Sequence, residues 1–186
     1  MSINGLTVGD NGYSVPFLPL DMEIIAYNAA PVVKMKVWPV SETDARRNDK
    51  KIIRLEGRLF VTSQRLIFFN DDRNSQDIRN LVILFRQLTL SKEKDSPIDL
   101  IMPWFGANSL KFEFRILLEQ VLNNGPWLDS SYTWRCELTL EKQSRAVRDI
   151  FQLHDVINGA LASNSVRSPP GHGGDEEEEG LPKYAP

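Results

Sequence analysis

Two histidines, His154 and His172, and one cysteine, Cys136, are the whole stock of imidazole and thiol in a chain of 186 residues. A zinc site takes three or four such ligands at short, regular spacing, and residues at positions 136, 154 and 172 do not supply one. A serine or cysteine nucleophile would have to borrow His154 as its base. That histidine falls within a helical repeat on its apolar side, where a packed imidazole is expected. The chain contains no G-x-S-x-G, no phosphate-binding P-loop and no G-x-G-x-x-G. Carboxylates are plentiful, 25 Asp and Glu in all, but the adjacent Asp71 and Asp72 follow an apolar run and precede Arg73 and Asn74, the residue types of a turn. The expectation is a protein without catalysis, metal or cofactor.

Binding chemistry is better represented. The segment Leu181-Pro-Lys-Tyr184 is a variant of the Pro-Pro-x-Tyr ligand of WW domains. Pro182 presets a polyproline-II backbone that fits between aromatic side chains, and Tyr184 fills the neighbouring pocket with its ring and hydroxyl. The acidic run Asp175 to Glu179 precedes it, steering a basic WW surface or simply keeping the segment solvated. A second constellation, Arg46, Arg47, Lys50 and Lys51, could hold a phosphoinositide headgroup through charge-assisted hydrogen bonds. Glu42, Asp44 and Asp49 dilute it, which favours a solvated loop. Pro103, Trp104, Phe105, Gly106 and Asn108 could form an exposed aromatic docking surface. The residue types favour a structural role, in which Pro103 ends a strand, Phe105 anchors the loop in the core, and Gly106 and Asn108 take positive φ. Trp38, Trp127 and Trp134 are read as core.

The elements that must carry these groups show mostly as period-two patterns. Val32 to Trp38 alternates from Val33 onward, with Lys34 and Lys36 opposite Val33, Met35 and Val37. Arg54 to Thr62 and Arg65 to Phe69 are β-rich runs separated by Ser63 and Gln64, the mark of a hairpin. Leu81 to Leu90, Ser109 to Leu118 and Tyr132 to Leu140 are further strands, with Gly125 and Pro126 turning before the last. After Leu140 the period changes. Val147, Ile150, Phe151, His154, Ile157 and Leu161 recur at three- and four-residue steps, so a helix over about 141–161 has one apolar face. Five to seven strands and a helix give a curved antiparallel sheet plugged by that helix. The expected organisation is an extended arm over 1–19, one domain over 20–161, and a disordered acidic tail over 162–186, rich in Pro, Gly and Ser.

Charge and composition narrow the class further. Residues 162–186 hold five acidic and two basic residues, which accounts for the net charge of −3 and leaves the body neutral. Direct nucleic-acid binding needs a concentrated basic face and is not expected. A lone thiol fits a reducing compartment. The start MSINGLTVGD and a longest dense apolar run of only Leu81 to Phe85 give no expectation of a signal peptide or membrane span. Nothing at either end reads as a lipidation signal, so any membrane contact would be peripheral. A cytoplasmic monomer is expected.

The hairpin from Glu56 to Phe69, EGRLFVTSQRLIFF, resembles that of GRAM domains. There a strand ending G-x-x-[VYF]-[VL]-T turns through an arginine into bulky apolar residues. Pro103-Trp-Phe-Gly-Ala-Asn108 resembles the P-x-F-G-A-N segment of the WW-domain-binding-protein-two family. The resemblance covers roughly Leu20 to Leu161. It implies a mainly β (α+β) fold, a pleckstrin-homology-like split barrel of about seven antiparallel strands capped by a C-terminal helix. It also implies a non-enzymatic adaptor, with a Nedd4-type HECT ubiquitin ligase or a nuclear WW coactivator as WW partner, and by the same analogy transcription coactivation. Animal members carry a Pro- and Tyr-rich repeat region that this chain lacks. One motif implies a short member of fungal or lower-eukaryotic type and a transient, micromolar interaction.

Overall fold

The computed structural model describes residues 2–6, 15–28, 32–40, 52–71, 78–90, 96–116, 133–140 and 146–167. Within them, nine strands form one antiparallel sheet and a single helix packs against it. The strands are β1 (Ser2–Ile3), β2 (Ile25–Asn28), β3 (Val33–Val40), β4 (Ile53–Thr62), β5 (Arg65–Asn70), β6 (Asn80–Leu84), β7 (Ile98–Ile101), β8 (Ser109–Arg115) and β9 (Thr133–Leu140), followed by α1 (Ala146–Arg167). Their order across the sheet is β1-β6-β5-β4-β3-β9-β8-β7, with β2 joined separately to β4. The mainly β architecture with a C-terminal helix expected from the periodicity is the one found.

Alternation along β3 puts Val33, Met35 and Val37 inside and Lys34 and Lys36 outside. The exposed rows are held in register by cross-strand charge pairs: Lys34 with Glu56 at 3.8 Å, Lys111 with Glu137 at 3.3 Å, and Arg135 with Glu113. Pairs of this kind contribute only tenths of a kcal/mol to about 1 kcal/mol each, but they disfavour slipped registers. Pro39, with no N–H to give, lies past the last β3–β4 pair, Val37 with Ile53.

The near-continuous apolar run of β5 has a different cause. Leu66 and Phe68 face the main core with Leu59, Val61 and Trp134, while Ile67 and Phe69 face the other way with Phe60 and Val82. That second face is covered by Val15 and Phe17, so the strand is buried on both sides. Phe17 meets Phe60 edge-on with ring centroids 5.5 Å apart and stacks on Phe69 at 6.1 Å. Gly57 lets β5 come close: a Cβ there would sit 1.9 Å from the Phe69 carbonyl oxygen.

Three expectations need correction. The run Leu81 to Leu90 is not one strand; β6 stops at Leu84 and a single 3-10 turn, Phe85–Gln87, follows. Gln87 stabilises the break, its Oε1 accepting from Leu84 N at 3.0 Å and its Nε2 donating to Arg115 O at 3.0 Å. The strands β2 and β7 are absent from the expected set, each being only four residues and too short to declare an alternation. The helix runs past Leu161 to Arg167, and Ser163 Oγ donates to Gly159 O at 2.9 Å, so its hydroxyl is satisfied within the helix. The buried stripe is Ile150, Leu153, Ile157 and Ala160, with Phe151 turned toward solvent.

Candidate docking surfaces

Two exposed apolar features stand out among the described residues. The first is built on a buried ion pair. Arg65 begins β5 with its side chain 7% exposed, and its guanidinium grips the Glu23 carboxylate, whose side chain is 0% exposed, through Nε to Oε1 at 2.7 Å and Nη2 to Oε2 at 2.8 Å. Thr62 Oγ1 donates to Glu23 Oε1 at 2.6 Å and Leu20 N to Oε2 at 2.7 Å. Burial by itself would raise the Glu23 pKa; the hydrogen bonds from Arg65, Thr62 and Leu20 and the charge of Arg65 outweigh it and hold the carboxyl below the usual range.

This pair pins residues 18–24 onto the β4–β5 turn. Ser63 N donates to Ile24 O at 2.8 Å and Ile24 N to Ser63 Oγ at 3.1 Å. Leu20 to Glu23 form a tight turn, closed by Glu23 N to Leu20 O at 3.1 Å, that puts Met22 at φ +56°. Leu18, Leu20, Met22 and Ile24 are all left facing solvent. Their every-second-residue spacing is visible in the sequence; the partnership of Glu23 with Arg65, far apart along the chain, is not.

The second feature is the connection between β7 and β8. Here the expected core anchor is overturned: Phe105 is 93% exposed and Trp104 99% exposed, with Met102 also exposed beside them. The hairpin pairing runs out at Ile101 and Ser109, so these side chains lie on a projecting tip rather than over the sheet. Gly106 takes φ +112° and lets the chain reverse, as expected, whereas Asn108 does not adopt positive φ.

Other residues singled out by the sequence fall as follows. Trp134 is buried and Trp38 partly buried; Trp127 lies outside the described residues. Leu181, Pro182, Tyr184, Arg46, Arg47, Lys50 and Lys51 also lie outside them, as do residues 168–186. Cys136 is fully buried, and burial first, then the Glu137 charge, pushes its thiol well above the usual pKa. His154 flanks the buried stripe of α1, with Asn158 Nδ2 3.0 Å from its Nε2. Asn158 in turn ties the helix to the entry of β7, accepting from Ser96 Oγ at 2.6 Å. Among the described residues no three His, Cys, Asp or Glu side chains cluster as metal ligands would.

A surface pocket of about 480 Å³ lies on the outer face of β7–β9 between Thr89, Asp99, Lys111, Glu113 and Arg135. The Arg135–Glu113 pair closes its polar wall upon itself.

No family model matches the chain, and no curated protein does. Among solved structures it is similar in fold to the Vps36 N-terminal PH domain, with 15% identity and a TM-score of 0.44 over 87% of this chain and 96% of that one. It is also similar to a chain of the 8S snRNP assembly intermediate, with 11% identity and a TM-score of 0.49 over 91% of this chain and 94% of that one.

Proposed function

We propose that this protein is a non-enzymatic adaptor that offers Leu181, Pro182 and Tyr184 to a WW-domain protein. The observation that carries this is the motif itself, Leu-Pro-Lys-Tyr, set after a stretch of Ser, Pro, Gly and acidic residues that has little apolar surface to bury. The resemblance of residues 56–69 and 103–108 to the GRAM and WW-domain-binding-protein-two patterns supports the same reading. On it the partner is a Nedd4-type HECT ubiquitin ligase or a nuclear WW coactivator, and the protein works in cytoplasm and nucleus. The folded body then serves as a second binding unit, which suits the exposed apolar features at 18–24 and 101–105.

Titration of the full chain with isolated WW domains tests it. A dissociation constant in the micromolar range is expected, rising at least tenfold in Tyr184→Ala. Unchanged binding by that variant would overturn the assignment. A second reading, phosphoinositide binding, rests on four cations in the segment joining β3 to β4; salt-sensitive vesicle binding lost in Arg46→Glu with Arg47→Glu would support it.

A further inference from the structure

We infer that the β7–β8 tip inserts into the interfacial layer of a lipid bilayer, independently of the basic segment and of the WW ligand. Its shape, its composition and its size all carry this. The tip is convex, with Trp104 and Phe105 almost wholly exposed and Met102 and Ile101 flanking them. Trp in particular favours the headgroup boundary, where an apolar ring and a polar N–H are both accommodated.

No ionisable side chain occurs between Asp99 and Lys111, so the whole projecting element is neutral. Those two residues pair in register at the base of the hairpin, two positions below Ile101 and Ser109. That places the first charges roughly 7 Å down the strand from the last hairpin pair, and further still from Trp104 and Phe105. An element lying about 5–10 Å into the headgroup and acyl boundary would bury the tip and leave this charged collar in water. Lys111 lies between two carboxylates, Glu137 at 3.3 Å and Asp99 across the hairpin, so the collar is not a cationic ring.

The size of the feature argues against a protein partner seated on it alone. A stable protein interface engages roughly 20–30 residues a side in complementary relief, whereas residues 101–108 form a small knob. A bilayer requires no matching relief. Among the described residues no helix is long and apolar enough to cross a membrane, and the contact is superficial.

The test uses the full chain and vesicles of phosphatidylcholine, with and without phosphatidylinositol phosphate. The expected result is binding to both, little changed between low and high salt, and reduced at least tenfold by Trp104→Asp with Phe105→Asp. Those side chains contact little else, so circular dichroism should show the variant folded. Brominated acyl chains should quench tryptophan fluorescence in the wild type, and Trp104→Phe should keep binding while losing most of that quenching. Failure of the wild type to bind, binding undiminished in the double variant, or quenching retained in Trp104→Phe would each overturn the inference. So would sedimentation showing a dimer that the double variant abolishes, since the tip would then be covered by a second copy. The inference fails separately from the WW assignment, because Tyr184→Ala leaves vesicle binding unchanged.

Discussion

Replacing Arg65 by methionine should reveal how strongly the 18–24 segment is held. Methionine keeps most of the apolar stem that runs toward the Phe17 ring, whose centroid lies 5.9 Å from the guanidinium carbon, but removes the charge and the donors. Glu23 would keep Thr62 Oγ1 and Leu20 N as donors and lose both guanidinium bonds. Stripping one partner from a buried pair costs about 3–5 kcal/mol, because the remaining charge has neither water nor counter-charge. For a domain of this size that corresponds to a fall of roughly 6–20 °C in melting temperature.

The pH dependence separates this account from loss of packing. In the wild type the folded Glu23 pKa lies below its unfolded value of 4.5, so its contribution is fully present above that pH and is lost as pH falls through the lowered folded value. Without Arg65 two of the lowering effects are lost while burial remains, so the folded pKa moves up from its wild-type position. The stability that Glu23 contributes above pH 4.5 shrinks accordingly, and the pH profile of the variant flattens in the acid range. Denaturant unfolding of both proteins from pH 3 to 8 reads the difference directly. A loss below about 1 kcal/mol at pH 7, or parallel pH profiles for the two proteins, would refute the buried-pair reasoning.

Phe17→Ala should destabilise by about 3–5 kcal/mol, since the ring is fully buried between Phe60 and Phe69, and proteolysis should then cut near residue 15 at lower protease concentration. Gly57→Ala should prevent stable folding, as its Cβ would lie 1.9 Å from Phe69 O; a soluble variant with an unchanged melting temperature would contradict this. Met22→Gly should stabilise by about 1 kcal/mol in chemical denaturation, because Met22 holds a left-handed backbone conformation while its side chain is exposed. The Cys136 thiol should react with a thiol-specific probe only at the rate of unfolding, being buried and protonated; rapid modification of the native protein would refute that.

Where side-chain alternation meets a half-buried sheet, the fold is legible in advance. Val33, Met35 and Val37 announce β3, and Trp134, Cys136, Leu138 and Leu140 announce β9, because one face of each strand is core and the other water. The hairpin at Ser63 is equally plain. What escapes depends on neighbours distant in sequence. The 3-10 turn at Phe85 is stabilised by Arg115, and the burial of Ile67 and Phe69 depends on Phe17. Phe105 defeats sequence reasoning because an aromatic residue in a loop has the same composition whether it folds inward or outward. Only the length of the β7–β8 pairing, ending at Ile101 and Ser109, decides that it projects.

The register also sets apart the points at which the chain leaves the sheet toward the two candidate lipid-binding segments. The chain enters the basic segment after Val40 and leaves it before Ile53, at the end of β3 that pairs with Thr133. The aromatic tip departs beyond Ser109, which is level with Thr139 and Lys34 at the other end of the same strand. At roughly 3.3 Å per residue along β3, the level of Ser109 lies about 20 Å from Val40 and about 10 Å from Val37, the partner of Ile53. Between them the exposed rows of β3, β4, β8 and β9 carry Lys34, Lys36, Arg54, Arg58, Lys111, Arg115 and Arg135 against Glu56, Glu113 and Glu137, and Lys36 lies directly opposite Arg54. On the phosphoinositide reading, attraction through Arg46 and Arg47 would be electrostatic and weakened by salt, whereas the proposed insertion of Trp104 and Phe105 would remove apolar area from water and resist salt. Varying headgroup charge and salt on the same vesicles therefore distinguishes the two: the first reading predicts a response to charge, the second to the interface itself.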